Sequence, residues 1–368
     1  MRSSVRHRAL AWLVLASAAA LAFAPALRAQ FRNGNQTILL DLPRVSQRAV
    51  LTQRIGLTDI TVTYHRPRAN GRQVFGDLVP YGRVWRTGAN DNTTIEFTHP
   101  MKIEGSELPA GRYGVHMIPG KDEWTVIFSK NSTSWGSFSY APAEDALRVR
   151  VKPKDAAAQD TMSFEFVDPD AESASLQLRW ERVAVPIALA VDTKGITLVS
   201  LRNQLRHLAG FQGQHWFEAA MYCVDNHFNY AEALSWVNQA VQLDGETYDN
   251  LDLKSQVLDG LGRKDEAAVT LTKALSLASP DQMFSYGDRL LRDQKVADAE
   301  KVFVGVTVAH PESWRAWYGL AKAQVARGDR KSAEKSLSEA LNRAQSPAEK
   351  AGVRRLLERL AAGLSIGG

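Results

Sequence analysis

The chain has 368 residues, enough for two domains that each bury a hydrophobic core. Its formal net charge is +5, but residues 1–29 carry four arginines and no acidic residue, so 41 basic and 40 acidic side chains remain beyond them. This near neutrality excludes the basic excess typical of nucleic-acid-binding proteins, and we expect no nucleic-acid partner. The single cysteine, Cys223, excludes an intramolecular disulfide, and its amphipathic helical surroundings predict a buried thiol.

Residues 1–29 have the pattern of a secretory signal peptide. Three arginines precede an apolar run over residues 9–24, and small residues follow. Cleavage is expected after Ala29 or after Ala26; the alternative is an uncleaved anchor, since residues 9–27 are just long enough to span a bilayer. No later segment is apolar enough to span. We therefore expect a periplasmic or secreted protein with no membrane span after cleavage.

From about residue 57 to 191, apolar and polar side chains alternate with the period of half-buried β-strands, and we place the domain that contains them at residues 44–191. The predicted strands are 59–65, 93–98, 101–104, 113–118, 124–128, 147–151, 162–167 and 176–185. Turn residues separate them and no helix-length pattern interrupts them, which predicts an all-β sandwich and disfavours a parallel α/β sheet. The small, polar and charged stretch at 152–160 is predicted to be a surface loop.

Beyond a predicted linker at residues 192–212, the pattern indicates helices. Small residues recur 34 positions apart in two pairs, Ala233 with Ala267 and Ala299 with Ala333. This period is similar to that of the tetratricopeptide repeat. We predict an all-α helical-repeat solenoid over residues 213–362, with three full units and a closing helix at 347–361. Such repeats offer extended binding surfaces, so we expect a protein partner; the alternative is a solenoid that only buttresses the sandwich.

Residues 65–90 stand out because they are rich in Gly and Pro and contain five arginines but one acid, Asp77. Long ordered loops on a rigid scaffold often carry binding sites. Guanidinium groups match carboxylates or phosphates, and flat rings can stack on sugars. The predicted ligand-contact residues are Arg66, Arg72, Tyr81, Trp85, Arg86 and Asn90. They suggest an anionic small molecule or a glycan fragment. The alternative is structural: the arginines hydrogen-bond loop carbonyls, and Trp–Arg pairs hold the loop.

Several motifs in this part of the chain resemble one known family. They include Arg66-Pro67, Phe75-Gly76, Trp85-Arg-Thr-Gly-Ala-Asn90, Leu108-Pro-Ala-Gly111 and Trp135-Gly136. Residues 44–191 thereby resemble the family known as domain of unknown function 2911. The resemblance implies an exported bacterial domain, sometimes followed by helical repeats, and it implies no established activity. The sequence has His65 where family members often have Ser or another small polar residue, so a hydroxyl-dependent role there is in doubt.

Recognisable catalytic and metal-binding motifs are missing from the sequence, including HExxH, CxxC and Gly-x-Ser-x-Gly. No catalytic residue, metal or cofactor is therefore assigned. We expect a non-enzymatic binding and scaffold protein of the bacterial envelope. The alternative is an envelope hydrolase with a His/carboxylate site in the sandwich, formed if His65, Glu96 and His116 converge. Ser137, a possible nucleophile, has no assignable base in the sequence.

Overall fold

The computed structural model describes residues 43–366 and divides the chain into two compact units, with the boundary after Thr193. The first unit consists mainly of strands and the second of helices, which confirms the predicted fold class. The predicted signal peptide lies outside the described residues. Within residues 43–366, no helix is both long and apolar enough to cross a membrane.

Ten strands form two antiparallel sheets in the first unit. They are β1 (Gln47–Ile55), β2 (Thr58–Arg66), β3 (Thr94–Phe97), β4 (Met101–Ile103), β5 (Ser106–Leu108), β6 (Gly111–Ile118), β7 (Trp124–Ser129), β8 (Asp145–Val151), β9 (Lys154–Val167) and β10 (Ser173–Ala190). One sheet has six strands in the order β1-β2-β3-β6-β7-β8, and the other has four in the order β5-β4-β10-β9. The predicted sandwich is therefore present.

The core of this unit lies between the two sheets. Along β2, Ile60, Val62 and Tyr64 are buried because alternate side chains of a strand point to the same face. The Tyr64 ring meets Phe164 of β9 edge-on, with ring centroids 5.0 Å apart. Trp180 of β10 is also buried and donates from its indole nitrogen to the Asp160 carbonyl at 3.0 Å.

The predicted surface loop at residues 152–160 is wrong. Strand β9 begins at Lys154 and pairs with β10, with Asp155 opposite Val183. This strand lies at the edge of the four-stranded sheet, so its polar side chains can stay in water while its backbone is paired. The polar composition of residues 152–160 correctly indicated exposed side chains, but it did not reveal that their backbone pairs with β10.

Ten helices follow the strands. They are α1 (Thr193–Gln204), α2 (Gly213–Asp225), α3 (Tyr230–Asp244), α4 (Tyr248–Gly260), α5 (Lys264–Ser276), α6 (Pro280–Arg292), α7 (Val296–Ala309), α8 (Trp314–Arg327), α9 (Arg330–Arg343) and α10 (Pro347–Ala361). The predicted linker at residues 192–212 contains α1, whose Leu198 and Leu201 pack against the buried cluster of α2 and α3. Cys223 is buried in the same cluster, as predicted, and burial raises the pKa of its thiol to about 11.

Helices α2 to α9 form four pairs, one more than the three predicted units, and α10 is the predicted closing helix. The second helix of each pair carries one of the recurring alanines, and all four are buried. Close packing is most evident at Phe303 of α7, which lies against glycines of α6 and α8. A Cβ atom would stand 2.4 Å from the Phe303 ring at Gly287 and 2.2 Å from it at Gly319. Only glycine leaves room for this ring.

Candidate functional site

Two of the predicted ligand-contact arginines bind backbone carbonyls. Arg66, at the end of β2, donates from Nε to the Met162 carbonyl at 3.0 Å. Arg72 donates to the carbonyls of Ala69 and Arg68 at 2.8 and 2.7 Å. Arg66 thereby attaches the start of the loop to β9, and Arg72 pairs carbonyls that the irregular loop cannot pair within a ladder. At these two positions the contacts support the structural interpretation.

Trp85 belongs to the core. Its ring stacks on Trp180 at 5.9 Å between centroids and meets Phe75 edge-on at 6.1 Å. Its backbone exchanges two hydrogen bonds with Met117 of β6, each 2.8 Å long. The indole is thus an anchor that attaches the loop to the sandwich.

Tyr81 is exposed, whereas Asn90 is half-buried. Tyr81 keeps 42% of its surface exposed and rests on Gly76, where a Cβ atom would be 2.7 Å from its ring. Asn90 has a left-handed backbone, with φ of 56°, and donates from Nδ2 to the Ser46 carbonyl at 3.0 Å. Tyr81 is free to contact a ligand, whereas the amide of Asn90 is already used.

Arg86 differs from the other predicted arginines. Its Nε is buried and has no hydrogen-bond partner among the described residues. Burial lowers the pKa of its guanidinium, and no carboxylate of residues 43–366 offsets that effect. A buried donor without an acceptor costs on the order of 1–3 kcal/mol, so this arginine is not explained by holding the loop.

Backbone pairing brings Arg86 close to His116 of β6 on the outer face of the six-stranded sheet. Trp85 and Met117 pair and point into the core, so their neighbours Arg86 and His116 point to the opposite face. The amide of Val115 donates to the Thr93 carbonyl at 2.7 Å, along the same edge of β6 that pairs with Trp85.

The same register places Asn92 and His65 in line with them. Asn92 precedes the Thr93–Val115 pair and therefore lies beside His116. On β2, Tyr64 points into the core, so His65 points outward, next to Asn92 by continuation of the β2–β3 pairing. We call His65, Asn92, His116 and Arg86 the polar row.

Residues 130–138, which we call the cover segment, lie over the polar row. Asn92 donates from its backbone to the Ser134 carbonyl at 3.3 Å and from Nδ2 to the Asn131 carbonyl at 3.5 Å. The Nδ1 atom of His116 and the Oγ atom of Ser137 are 2.9 Å apart. The close approach requires Gly114, where a Cβ atom would be 2.3 Å from the Asn131 carbonyl oxygen.

Burial dominates the electrostatics of the polar row. It lowers the pKa of His116 to about 4, although Asp145 and Glu144 act in the opposite direction. It also lowers the pKa of His65, an effect that Asp91 opposes. Both imidazoles are therefore neutral at pH 7 and can donate or accept hydrogen bonds.

Two of these residues keep buried atoms that lack partners. His65 is 6% exposed, and its Nδ1 has no hydrogen-bond partner among the described residues; its Nε2 is 3.7 Å from Asp91. Asn92 is also 6% exposed, and its Oδ1 has no hydrogen-bond partner among the described residues. The polar row thus has three unpartnered groups: the donor of Arg86, the acceptor of Asn92, and the His65 nitrogen, which can act as either.

Aromatic side chains edge this region. Trp135 of the cover segment is 45% exposed, and the guanidinium of Arg44 lies over its ring at 5.2 Å. Phe138 is 86% exposed. In the sequence, Trp135 stood out only as part of a family motif, and Asn92 was not identified. A local sequence pattern does not reveal which residues a loop covers in the folded protein.

The convergence of His65, Glu96 and His116, on which the hydrolase alternative depended, is not observed. Glu96 is exposed on β3 opposite Thr61 and Arg112, four residues along the strand from Asn92. The described residues contain no group of three or more His, Cys, Asp or Glu side chains that could hold a metal ion. Ser137 does have a histidine neighbour that sequence reasoning missed, but the Asp145 carboxylate near that histidine accepts from Tyr140 and Arg148.

The repeat unit carries a ladder of charged groups between its first helices, α4, α6 and α8. Asp252 of α4 binds Arg289 of α6 in a bidentate, half-buried pair. Lys322 of α8 donates to Asp288 of α6 at 2.7 Å and lies between the rings of Phe284 and Tyr318. These pairs fix the spacing of successive first helices.

The comparisons with known proteins agree with this division. Residues 46–189 match the family described as Protein of unknown function (DUF2911). The resemblance predicted from the motifs is therefore confirmed. Residues 248–281 and 290–359 of the same chain match families described as Tetratricopeptide repeat, so the DUF2911 region is followed by repeats of the predicted type, which are typical of protein-binding scaffolds. No curated protein matches the chain.

Several solved structures resemble part of the chain. MamA from Desulfovibrio magneticus RS-1 is 18% identical with a TM-score of 0.29, over 41% of this chain and 84% of that one. YrrB, described as a TPR protein with an unusual peptide-binding site, is 19% identical with a TM-score of 0.28, over 43% and 88%. PilF of Pseudomonas aeruginosa is 15% identical with a TM-score of 0.28, over 42% and 76%.

Proposed function

We propose that this protein is an exported, non-enzymatic binding and scaffold protein of the bacterial envelope. Its repeat unit binds a protein partner, and its DUF2911 region binds an anionic or sugar-like small molecule. The matches to tetratricopeptide repeats support the first part, because such arrays bind partners along successive units. The signal-like pattern of residues 1–29 supports export.

The observation that carries the protein-binding proposal is the arrangement of side chains on the first helices. Asp281 of α6 and Arg315 of α8 are 34 residues apart, form an exposed ion pair, and occupy corresponding places on neighbouring helices. Next to them, the half-buried rings of Phe284 and Tyr318 stack at 5.9 Å. A partner segment crossing α6 and α8 would meet an arginine and flat aromatic rings, residue types that are enriched in binding interfaces.

Site-specific photo-crosslinking tests this proposal. A crosslinking amino acid at Asp281 or Arg315 samples the first helices, and one at Val269 or Val308 samples exposed positions on second helices. We expect a discrete adduct from the first-helix positions only. The captured protein, once purified, should bind more weakly to Arg315→Glu than to the wild type. Equal adducts from both sets, or unchanged affinity, would contradict the proposal.

Mass spectrometry of the protein recovered from its host tests export. We expect an N-terminus at Gln30 or Leu27, which follow the two predicted cleavage positions, and recovery with the periplasmic or secreted fraction. Recovery of the chain with its first residues intact in the cytoplasm would contradict this part.

Hydrolysis is a second candidate function because Ser137 Oγ lies 2.9 Å from His116 Nδ1. A histidine at this distance can accept the proton of a serine nucleophile. Hydrolysis of simple esters that is lost in Ser137→Ala and kept in Ser134→Ala would favour it. Equal turnover by wild type and Ser137→Ala would remove it.

A further inference from the structure

Unpartnered polar atoms in the strand-rich unit gather at one place. Of the four buried side-chain atoms without a hydrogen-bond partner in residues 43–366, three belong to the polar row: His65 Nδ1, Arg86 Nε and Asn92 Oδ1. Buried polar groups in folded proteins are nearly always paired, so such a cluster needs an explanation. The loop contacts do not supply one, since Arg66 and Arg72 hold the loop through hydrogen bonds to backbone carbonyls.

The three atoms define the chemistry of what would satisfy them. Arg86 can only donate, and its guanidinium suits an oxyanion. Asn92 Oδ1 can only accept, so it needs a hydroxyl or N–H group beside that oxyanion. The neutral His65 imidazole can do either. A ligand with a carboxylate next to a hydroxyl meets these requirements in a single small molecule.

The charges around the row are compatible with an anion. Arg44 and Arg48 are close enough to His65 to lower its pKa, and they add positive potential on the β1 side. Asp91 lies near His65, and Asp145 near His116, but the latter carboxylate is neutralised by Arg148. Trp135 offers a partly exposed face beside Arg44 on which a sugar ring can stack.

We propose that His65, Arg86 and Asn92 form a binding site, beneath the cover segment, for a small carboxylate that carries a neighbouring hydroxyl, such as a sugar acid. This inference rests on the proposed small-molecule function of the DUF2911 region and makes it specific. It replaces Arg66, Arg72 and Trp85, whose contacts hold the loop, with His65, Arg86 and Asn92, which keep buried polar atoms without partners. Entry requires the cover segment to shift, because His65 and Asn92 are each 6% exposed.

Isothermal titration calorimetry of the whole protein tests the proposal with four probes. Lactate carries a hydroxyl on the carbon next to its carboxylate, and glucuronate carries one a carbon further along its ring, so the two probes distinguish a simple hydroxy acid from a sugar acid. Glucose lacks the carboxylate, and acetate lacks the hydroxyl. We expect glucuronate or lactate to bind. Glucose, which has no carboxylate for Arg86, and acetate, which leaves the buried Asn92 acceptor unpaired, should each bind at least about tenfold more weakly.

Variants locate the site. Arg86→Met and Asn92→Leu should each weaken binding of the better probe by about tenfold or more. The matched control is Arg66→Met, an arginine of the same loop that already donates to a backbone carbonyl; it should leave affinity unchanged in any sample that circular dichroism shows to be folded. A second readout is the amide NMR signal of residues 131–137, which should shift with the wild type and not with Arg86→Met.

Two results would overturn the inference. One is the absence of binding by both carboxylates; the other is binding that Arg86→Met and Asn92→Leu leave intact. Neither result affects the crosslinking test of the repeat unit, so failure of this site and failure of the protein-binding proposal are separable. If the Arg86 variant fails to fold, Asn92→Leu and the NMR shifts of the wild type still decide the question.

Discussion

Buried charges of the repeat unit are paired, whereas the strand-rich unit buries polar atoms that have no partner. Asp252 and Arg289 meet in two hydrogen bonds, and Lys322 meets Asp288. In contrast, all four unpartnered buried side-chain atoms of residues 43–366 belong to the strand-rich unit. Both units bury polar side chains, so the difference lies in whether the fold itself supplies the partner.

The difference indicates where each unit interacts with other molecules. In the repeat unit, the ladder of paired charged groups sets the spacing of the first helices, and the exposed surface remains accessible to a partner. Unpaired groups each cost about 1–3 kcal/mol, a cost expected where a site is preorganised for something that is not part of the chain. Four predictions test this contrast.

The largest effect is expected for Arg289→Met in the repeat unit. This change leaves the largely buried Asp252 carboxylate without its cation and should reduce the free energy of unfolding by about 2–4 kcal/mol. Urea denaturation followed by circular dichroism measures the loss. The double variant Asp252→Asn/Arg289→Met should recover part of it, because no lone buried charge remains. A single variant as stable as the wild type would show that the pair does not hold the helices.

The stability of the strand-rich unit should vary with pH because of His116. Its pKa is about 4 in the folded protein and near 6.5 in the unfolded chain, so only the unfolded chain binds a proton between these values. Stability is therefore complete above pH 6.5 and falls as the pH drops toward 4, by about 2–3 kcal/mol. The lowered pKa of His65 acts in the same direction. In urea denaturation, His116→Gln should lose less stability between pH 7 and pH 4.5 than the wild type; equal losses would contradict the assignment.

Two arginines of one loop should respond oppositely to the same substitution. Arg66→Met removes a hydrogen bond to the Met162 carbonyl and should destabilise the protein by about 1–2 kcal/mol. Arg86→Met removes a buried donor that has no acceptor, so stability should stay within about 0.5 kcal/mol or rise. Thermal denaturation of both variants without ligand makes the comparison. If Arg86→Met destabilises more than Arg66→Met, the guanidinium holds the structure together.

The smallest effect is expected at an exposed ion pair. Lys273 and Glu246 are in contact, but both side chains are about half exposed, so water screens their attraction. Lys273→Met should change the free energy of unfolding by less than about 0.5 kcal/mol. Comparing the stability losses of Lys273→Met and Arg289→Met separates the effect of burying a charge from the effect of pairing it. A loss comparable to that of Arg289→Met would remove burial as the explanation.

The sequence by itself determined the two-part architecture, because periods of two and of 34 residues directly record strand faces and stacked helix pairs. It also located the loop at residues 65–90 and the motifs of the DUF2911 family. It missed β1, β5 and the first part of β9, all at sheet edges, since edge strands can keep polar side chains in water while their backbones pair.

Only the tertiary structure decided what each residue of the loop does. Arg66 and Arg86 are indistinguishable in sequence, yet one donates to a carbonyl of β9 and the other faces His116 without an acceptor. His65, Asn92 and His116 lie on three segments far apart in the chain, and sheet register alone brings them together. A hydrogen-bond partner depends on contacts across the fold, which local sequence patterns do not encode.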